Sequence, residues 1–223
     1  TIAALFGEFL ADGLTAAPGA PLPTTLGGVR VLVNGTAAPL YFASPGQINF
    51  QIPFETLGGD AIIQVERNGV VGNRASANIV AEAGRILVWP GLRYGIIVNA
   101  DGTLPLPAGI RLGNFVSKPA RAGDFLVIYA IGFGRTNPAV ATGAASPTSP
   151  LAQLSNVLVR FGVPGIFDSS IPVTPQFAGL TPGFVGLYQI NVVVPNVASG
   201  DVRLTVTIDG TPATTTPVTA IVN

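Results

Sequence analysis

One long motif occurs twice in this sequence, and the recurrence favours an architecture built from two similar halves. The first copy is QINFQIP at residues 47–53, and the second is QINVVVP at residues 189–195. Each copy is followed by a Gly-Asp pair, an alternating apolar run and a two-residue Asn-Gly or Asp-Gly turn. A repeat that keeps its order through two strands and a hairpin turn indicates two related domains.

Short apolar runs between turn residues predict that both domains are all-β. The chain contains 28 Gly and 20 Pro, with runs rich in Val, Ile, Phe and Thr between them. No segment shows a long helical period. We therefore expect two tandem antiparallel β-sandwiches, with domain 1 at residues 1–83 and domain 2 at residues 84–223. Domain 2 is expected to begin with a connector and to carry a long loop at residues 135–150.

Alternation within the repeated motif predicts which side chains face each core. In the first copy Ile48, Phe50 and Ile52 fall on one face of the strand, and Ile190, Val192 and Val194 are their counterparts in the second copy. The polar residues of both copies fall on the opposite face. Amides in such a row form either a solvated outer face or a ligand face.

Missing residue types argue against most enzymatic chemistry. The chain has no His and no Cys, so the usual general base and the usual thiol nucleophile are absent. Its Asp and Glu residues are dispersed, and several sit beside glycine, where a turn explains them. Residues 99–102 (NADG) resemble the start of a calcium loop, but the remaining ligands are missing. We expect no catalytic residues, no metal site and no cofactor.

Charge is low and evenly spread, which bears on the partners of this chain. Only 10% of the residues are charged and the net charge is +0, with no basic stripe that would favour nucleic acid. No apolar run is long enough for a membrane span. Because the chain lacks Met, Thr1 is expected to be a processed or trimmed end.

Four segments give the chain a family resemblance: residues 21–29, 33–40, 44–49 and 178–191. They resemble the C-terminal domain family of large secreted proteins in soil acidobacteria, and each half is more weakly similar to immunoglobulin-like IPT/TIG domains. The resemblance implies tandem immunoglobulin-like sandwiches and an extracellular or cell-surface location. It implies no activity, and this chain lacks the large upstream region usual in the family, which suggests a free-standing protein or a trimmed fragment.

Two functional hypotheses remain open. In the first, the protein is a structural subunit that associates with itself into a fibre or surface layer, because a strand can add to a neighbour's sheet through main-chain hydrogen bonds. Head-to-tail contacts of this kind produce open filaments. The expected assembly residues form an apolar strand at the start of the sequence, although pairing within its own domain is the competing expectation: Thr1, Ile2, Ala3, Ala4, Leu5 and Phe6.

In the second hypothesis, the chain is an accessory module that binds a carbohydrate or another surface. Amide and aromatic side chains of the two motif copies would supply the ligand face: Gln47, Asn49, Gln51, Tyr188, Gln189 and Asn191. Core packing is the competing explanation for Tyr188, because it continues the alternation of the second motif strand.

Overall fold

A computed structural model describes residues 1–80, 83–162, 170–213 and 217–222 of the chain. These residues form strands, turns and loops without a helix, and none of them could therefore cross a membrane as a helix. Their strands pair in four antiparallel sheets of four or five strands. The prediction of an all-β chain is confirmed for the described residues, and the paired sheets have the character of β-sandwiches.

Two compact units divide the chain, and each contains several separate segments. The first unit comprises Thr1–Glu82, Gly134–Ala152 and Leu180–Leu187, and the second comprises Ala83–Phe133, Gln153–Gly179 and Tyr188–Asn223. The long segment at residues 135–150 therefore belongs to the first unit, although it lies in the second half of the sequence.

The first unit contains two four-stranded sheets. Their orders are β1-β6-β5-β2 and β4-β3-β7-β8. The strands are β1 (Ile2–Phe6), β2 (Thr15–Ala16), β3 (Val29–Val33), β4 (Thr36–Ala38), β5 (Leu40–Ala43), β6 (Gln47–Gln51), β7 (Gly59–Arg67) and β8 (Val70–Ile79).

The second unit contains two five-stranded sheets. One has the order β10-β11-β15-β14, with β9 also paired to β11, and the other has the order β13-β12-β16-β17, with β18 also paired to β16. The strands are β9 (Arg85–Ile86), β10 (Ile97–Asn99), β11 (Phe125–Ile131), β12 (Val157–Gly162), β13 (Ile171–Val173), β14 (Phe177–Leu180), β15 (Tyr188–Val193), β16 (Gly200–Ile208), β17 (Thr211–Pro212) and β18 (Val218–Ile221).

Alternating burial in the motif strands follows the sequence pattern. Ile48 and Phe50 of β6 lie in the core of the first unit, and Ile52 packs against that core while remaining partly exposed. The counterparts in the second copy are buried as well, since Ile190, Val192 and Val194 are almost inaccessible to solvent. The period of two residues therefore predicts the inward face of both strands correctly.

Tight two-residue turns join the strands of three hairpins, and these turns have the backbone geometry that their residues predict. A type I′ turn needs positive φ at both central residues, a requirement that Asn-Gly and Asp-Gly meet at the lowest cost. All three turns show it: φ is 49° and 80° at Asn34-Gly35, 49° and 82° at Asn68-Gly69, and 47° and 84° at Asp209-Gly210.

Replacing Phe50 with Ala tests the assignment of the inward face of β6. Phe50 is only 1% exposed, so the truncation removes buried apolar contacts and leaves a cavity. We expect the free energy of unfolding to fall by about 3–5 kcal/mol in urea denaturation. Leu57→Ala is the control, because Leu57 is 81% exposed and its loss should change stability by less than about 0.5 kcal/mol. Similar losses for the two variants would contradict the assignment.

Candidate functional site

β1 lies at the edge of its sheet and pairs with β6 on one side. The register joins Ile2 to Gln51 and Phe6 to Gln47. Just beyond the strand, Gly7 N–H donates to the Gly46 carbonyl at 3.2 Å, and Ile52 N–H donates to the Thr1 carbonyl at 2.8 Å. Because main-chain groups alternate in direction along an antiparallel strand, the odd-numbered residues of β1 bond to β6 and the even-numbered residues point away.

The outward main-chain groups of β1 therefore belong to Ile2, Ala4 and Phe6. In the part of the chain that the structure describes, β6 is the one strand that pairs with β1. The side chains of Ala4 and Phe6 are also exposed, and Phe6 is 72% accessible to solvent. The expected assembly segment thus lies within its own sheet and keeps one open edge.

An apolar groove of about 590 Å³ opens beside this edge. Residues 5–10 form one wall, and side chains of β7 and β8, among them Ile63, Val65 and Val70, form the other. Arg67 crosses the groove, donating to the Phe9 carbonyl at 2.9 Å and pairing with the Asp12 carboxylate. The groove has few charged lining residues, and Phe9 at its rim is largely exposed.

The corresponding strand of the second unit has partners on both sides. β11 pairs with β15 in the register that joins Tyr129 to Gln189, just as Phe6 of β1 is joined to Gln47. On its other edge β11 is bonded to β9, β10 and the adjoining residues. Tyr129 N–H donates to the Ile96 carbonyl at 3.1 Å, and Leu87 N–H donates to the Tyr129 carbonyl at 2.9 Å. The edge that is filled beside β11 is open beside β1.

Most of the motif amides lie half-buried on the outer face of their sheets. Gln47 donates to Asn49 at 2.7 Å, and Gln189 donates to Asn191 at 3.4 Å. Each pair therefore satisfies part of its hydrogen-bonding capacity internally. The two pairs occupy equivalent positions in β6 and β15, in different units of the protein.

Gln51 differs from the other amides because it is completely buried. Its Oε1 accepts a hydrogen bond from Gly143 N–H at 2.7 Å, while its Nε2 has no hydrogen-bond partner among the described residues. Gly186 lies against the same amide, since a Cβ atom built on it would be 3.4 Å from Nε2, an ordinary contact distance. Segments Gly134–Ala152 and Leu180–Leu187 thus cover this part of the outer face within the first unit.

Tyr41 helps to hold the same cover in place. Its hydroxyl donates to the Val185 carbonyl at 2.5 Å, and burial raises the pKa of Tyr41 above its ordinary value. Neither Tyr41 nor Gln51 was assigned this role from the sequence. The available signal was a break in the repeat, because the residue at the position of Gln51 in the second copy is Val193.

Tyr188, the aromatic residue of the expected ligand face, is engaged in packing contacts, and so is Trp89. Tyr188 is 1% exposed and makes an edge-to-face contact with Phe133 at 5.9 Å between ring centroids. Burial also raises the pKa of Tyr188 above its ordinary range. The Trp89 and Phe115 ring centroids are 5.9 Å apart, and Trp89 packs against a small core cluster of the second unit.

The calcium-like turn at residues 99–102 is held by protein contacts. Lys118 Nζ donates to Asp101 at 2.6 Å, and Thr103 donates to the same carboxylate through its hydroxyl and its N–H. The bond from Lys118, supported by those from Thr103, lowers the pKa of Asp101. No group of three or more His, Cys, Asp or Glu side chains among the described residues could hold a metal ion.

No protein-family model matches the chain, and no curated protein sequence matches it.

Replacing Tyr41 with Phe tests the anchoring of residues 180–187. The change removes the hydroxyl and leaves the Val185 carbonyl without this donor, so we expect the free energy of unfolding to fall by about 1 kcal/mol. Tyr129→Phe is the matched control, since the Tyr129 side chain is half-buried and we expect its hydroxyl to contribute little. Urea denaturation of both variants gives the comparison, and equal stabilities for Tyr41→Phe and wild type would contradict the anchoring role.

Proposed function

We propose that this chain is a non-enzymatic structural protein outside the cell, whose copies associate with one another in a fibre or a surface layer. Its two units would be tandem immunoglobulin-like sandwiches. The matching order β1-β6-β5 and β11-β15-β14 supports this relation, as do the matching hairpin turns after β7 and β16.

The open edge of β1 is the observation that carries the proposal. An unpaired strand edge exposes N–H and C=O groups that can bond to a strand of another chain. Here the edge lies beside an apolar groove, and the exposed side chains of Phe6 and Phe9 line that groove. Contact with a second copy would remove this apolar surface from water, which favours association.

Electrostatics support a copy of the same chain as the partner. The net charge is +0, so identical copies do not repel one another over long distances. Strand β1 contains no charged residue, and the nearest charged residue along the sequence is Glu8. Association through this edge should therefore depend on apolar contact and main-chain hydrogen bonds, and only weakly on ionic strength.

The non-enzymatic part of the proposal is supported by the chemistry of the described side chains. The raised pKa values of Tyr41 and Tyr188 are explained by burial, and the Tyr41 hydroxyl is already bonded to the Val185 carbonyl. The exposed carboxylate with a strongly lowered pKa, Asp101, is engaged by Lys118.

Sedimentation velocity over a range of protein concentrations tests the self-association. We expect the mean sedimentation coefficient to rise with concentration, and to do so equally at low salt and at about 0.5 M salt because β1 has no charge to screen. Electron microscopy of the concentrated protein should then show extended or layered particles.

A strictly monomeric protein at the highest soluble concentration would contradict this proposed function. If such monomers bound to an array of immobilised glycans, the half-exposed amides of Gln47, Asn49, Gln189 and Asn191 would become the candidate ligand face. That result would replace the structural role with the accessory-module role.

A further inference from the structure

The sheet edges differ in how well they are protected against pairing with another chain. Natural proteins protect edges with short strands, charges, prolines, bulges or covering segments. Several edge strands here have only two or three residues: β2, β4, β9, β10, β13 and β17. Among these, β13 also contains Pro172.

The longer edge strands of the second unit are β14 and β18. Each already bonds to another segment of the same unit. Along β14, Leu154 N–H donates to the Ala178 carbonyl at 2.8 Å. Along β18, the Ala120 N–H donates to the Ala220 carbonyl at 2.9 Å, and Val222 N–H donates back to the Ala120 carbonyl. Both edges therefore have main-chain partners already.

Two longer edge strands of the first unit remain, and they are not equivalent. β8 carries the charged Arg74, and its pairing with β7 shifts register between Gln64 and Glu66. Both features disfavour addition of a further strand. β1 has the sequence IAALF, with no charge, no proline and a continuous register to β6. Of the described edges, β1 is the one best suited to pair with another strand.

The second unit indicates what an open edge of this kind accepts. At the positions equivalent to Ile2 and Phe6, Phe125 and Tyr129 bond to a strand segment on their outer side. Ala100 N–H donates to the Phe125 carbonyl at 3.1 Å, and residues 87 and 96 bond to Tyr129. The outward groups of β1 thus have the directions that β11 uses to hold a neighbouring antiparallel strand.

We propose that β1 pairs antiparallel with β1 of a second copy, about a two-fold axis that passes beside Ala4. This inference rests on the self-association proposed above and specifies its contact. Ala4 would face Ala4 of the other copy, and Ile2 would face Phe6 in the two remaining pairs. Each of the three pairs exchanges two main-chain hydrogen bonds, about six in all.

A second β1 suits this edge better than the other edges of a copy do. Its outward groups have no partner strand among the described residues, and its uncharged side chains bring no like charges together. Exposed Phe6 would pack against Ile2 across the new strand pair, a favourable aromatic–aliphatic contact. Because the contact is isologous, it closes as a dimer. A fibre or layer then requires a second contact elsewhere on that dimer.

Introducing a positive or a negative charge at position 4 tests the pairing and its register together. Ala4 is exposed on the outer face, so Ala4→Lys and Ala4→Glu can fold without burying a charge. In each variant the two-fold axis brings like charges directly opposite one another, and we expect the dimer dissociation constant to rise about fivefold or more. An equimolar mixture of the two variants should recover the dimer, because Lys then faces Glu.

Val71→Lys and Val71→Glu on the exposed face of β8 are the matched controls, and they should leave the dissociation constant unchanged. Analytical ultracentrifugation gives the constants, and circular dichroism with thermal unfolding checks that each variant is folded. Ala4→Pro is a second variant, since its lost N–H is an outward one, and it should also raise the dissociation constant.

Three results would overturn the pairing. If the wild-type protein associates and the Ala4 variants associate equally well, the contact lies elsewhere, although the proposed structural role survives. If the mixture fails to recover the dimer, the two-fold register at Ala4 is wrong. If the wild-type protein is monomeric throughout, both the pairing and the proposed function fail.

Discussion

The pairing of main-chain N–H and C=O groups is the constraint on which this architecture depends. A strand within a sheet satisfies these groups on both of its sides, whereas an edge strand satisfies only one. In the second unit, β11 has β15 on one side and β9 with β10 on the other. In the first unit, β1 has β6 on one side, and no described strand pairs with its other edge, where the Ile2 carbonyl accepts a 3.4 Å hydrogen bond from the Thr1 hydroxyl. This difference between two otherwise corresponding strands leads to the proposed self-association.

Burial of a polar side chain is the second constraint, and Gln51 illustrates it. Its position on the outer face would normally leave it in water, and the half-exposed Gln47 and Asn49 follow that pattern. Segments at residues 134–152 and 180–187 cover Gln51, and the Gly143 N–H supplies one hydrogen bond to its amide. Burial without such a bond would be costly. The segments therefore belong to the first unit by packing, although they lie far from it in sequence.

Local features of the fold could be predicted from the sequence. The alternation around Ile48 and Phe50 identifies the core face because strand side chains alternate strictly. The Asn68-Gly69 pair identifies a hairpin because few other residues adopt positive φ at low cost. These inferences need only neighbouring residues, and the structure agrees with them.

Non-local features could not be predicted in the same way. The cover over Gln51 joins residues about 90 positions apart, and no local pattern encodes which loop reaches which sheet. The open edge of β1 could not be predicted either, because an apolar run such as residues 2–6 is compatible with one partner strand or with two. The position of Tyr188 was ambiguous for a related reason, since a buried aromatic and a ligand-binding aromatic share the same residue type.

Amide hydrogen exchange in the first strand, measured by NMR at two protein concentrations, tests the account most directly. The outward amides of Ala4 and Phe6 should exchange rapidly in dilute protein and become protected when the protein associates. The amides of Leu5, bonded to β6, and Tyr129, bonded on the outer edge of β11, should be protected at both concentrations. Protection of Ala4 and Phe6 in the dilute monomer would contradict the open edge. Rapid exchange of these amides that persists in the associated protein would contradict the proposed role of that edge.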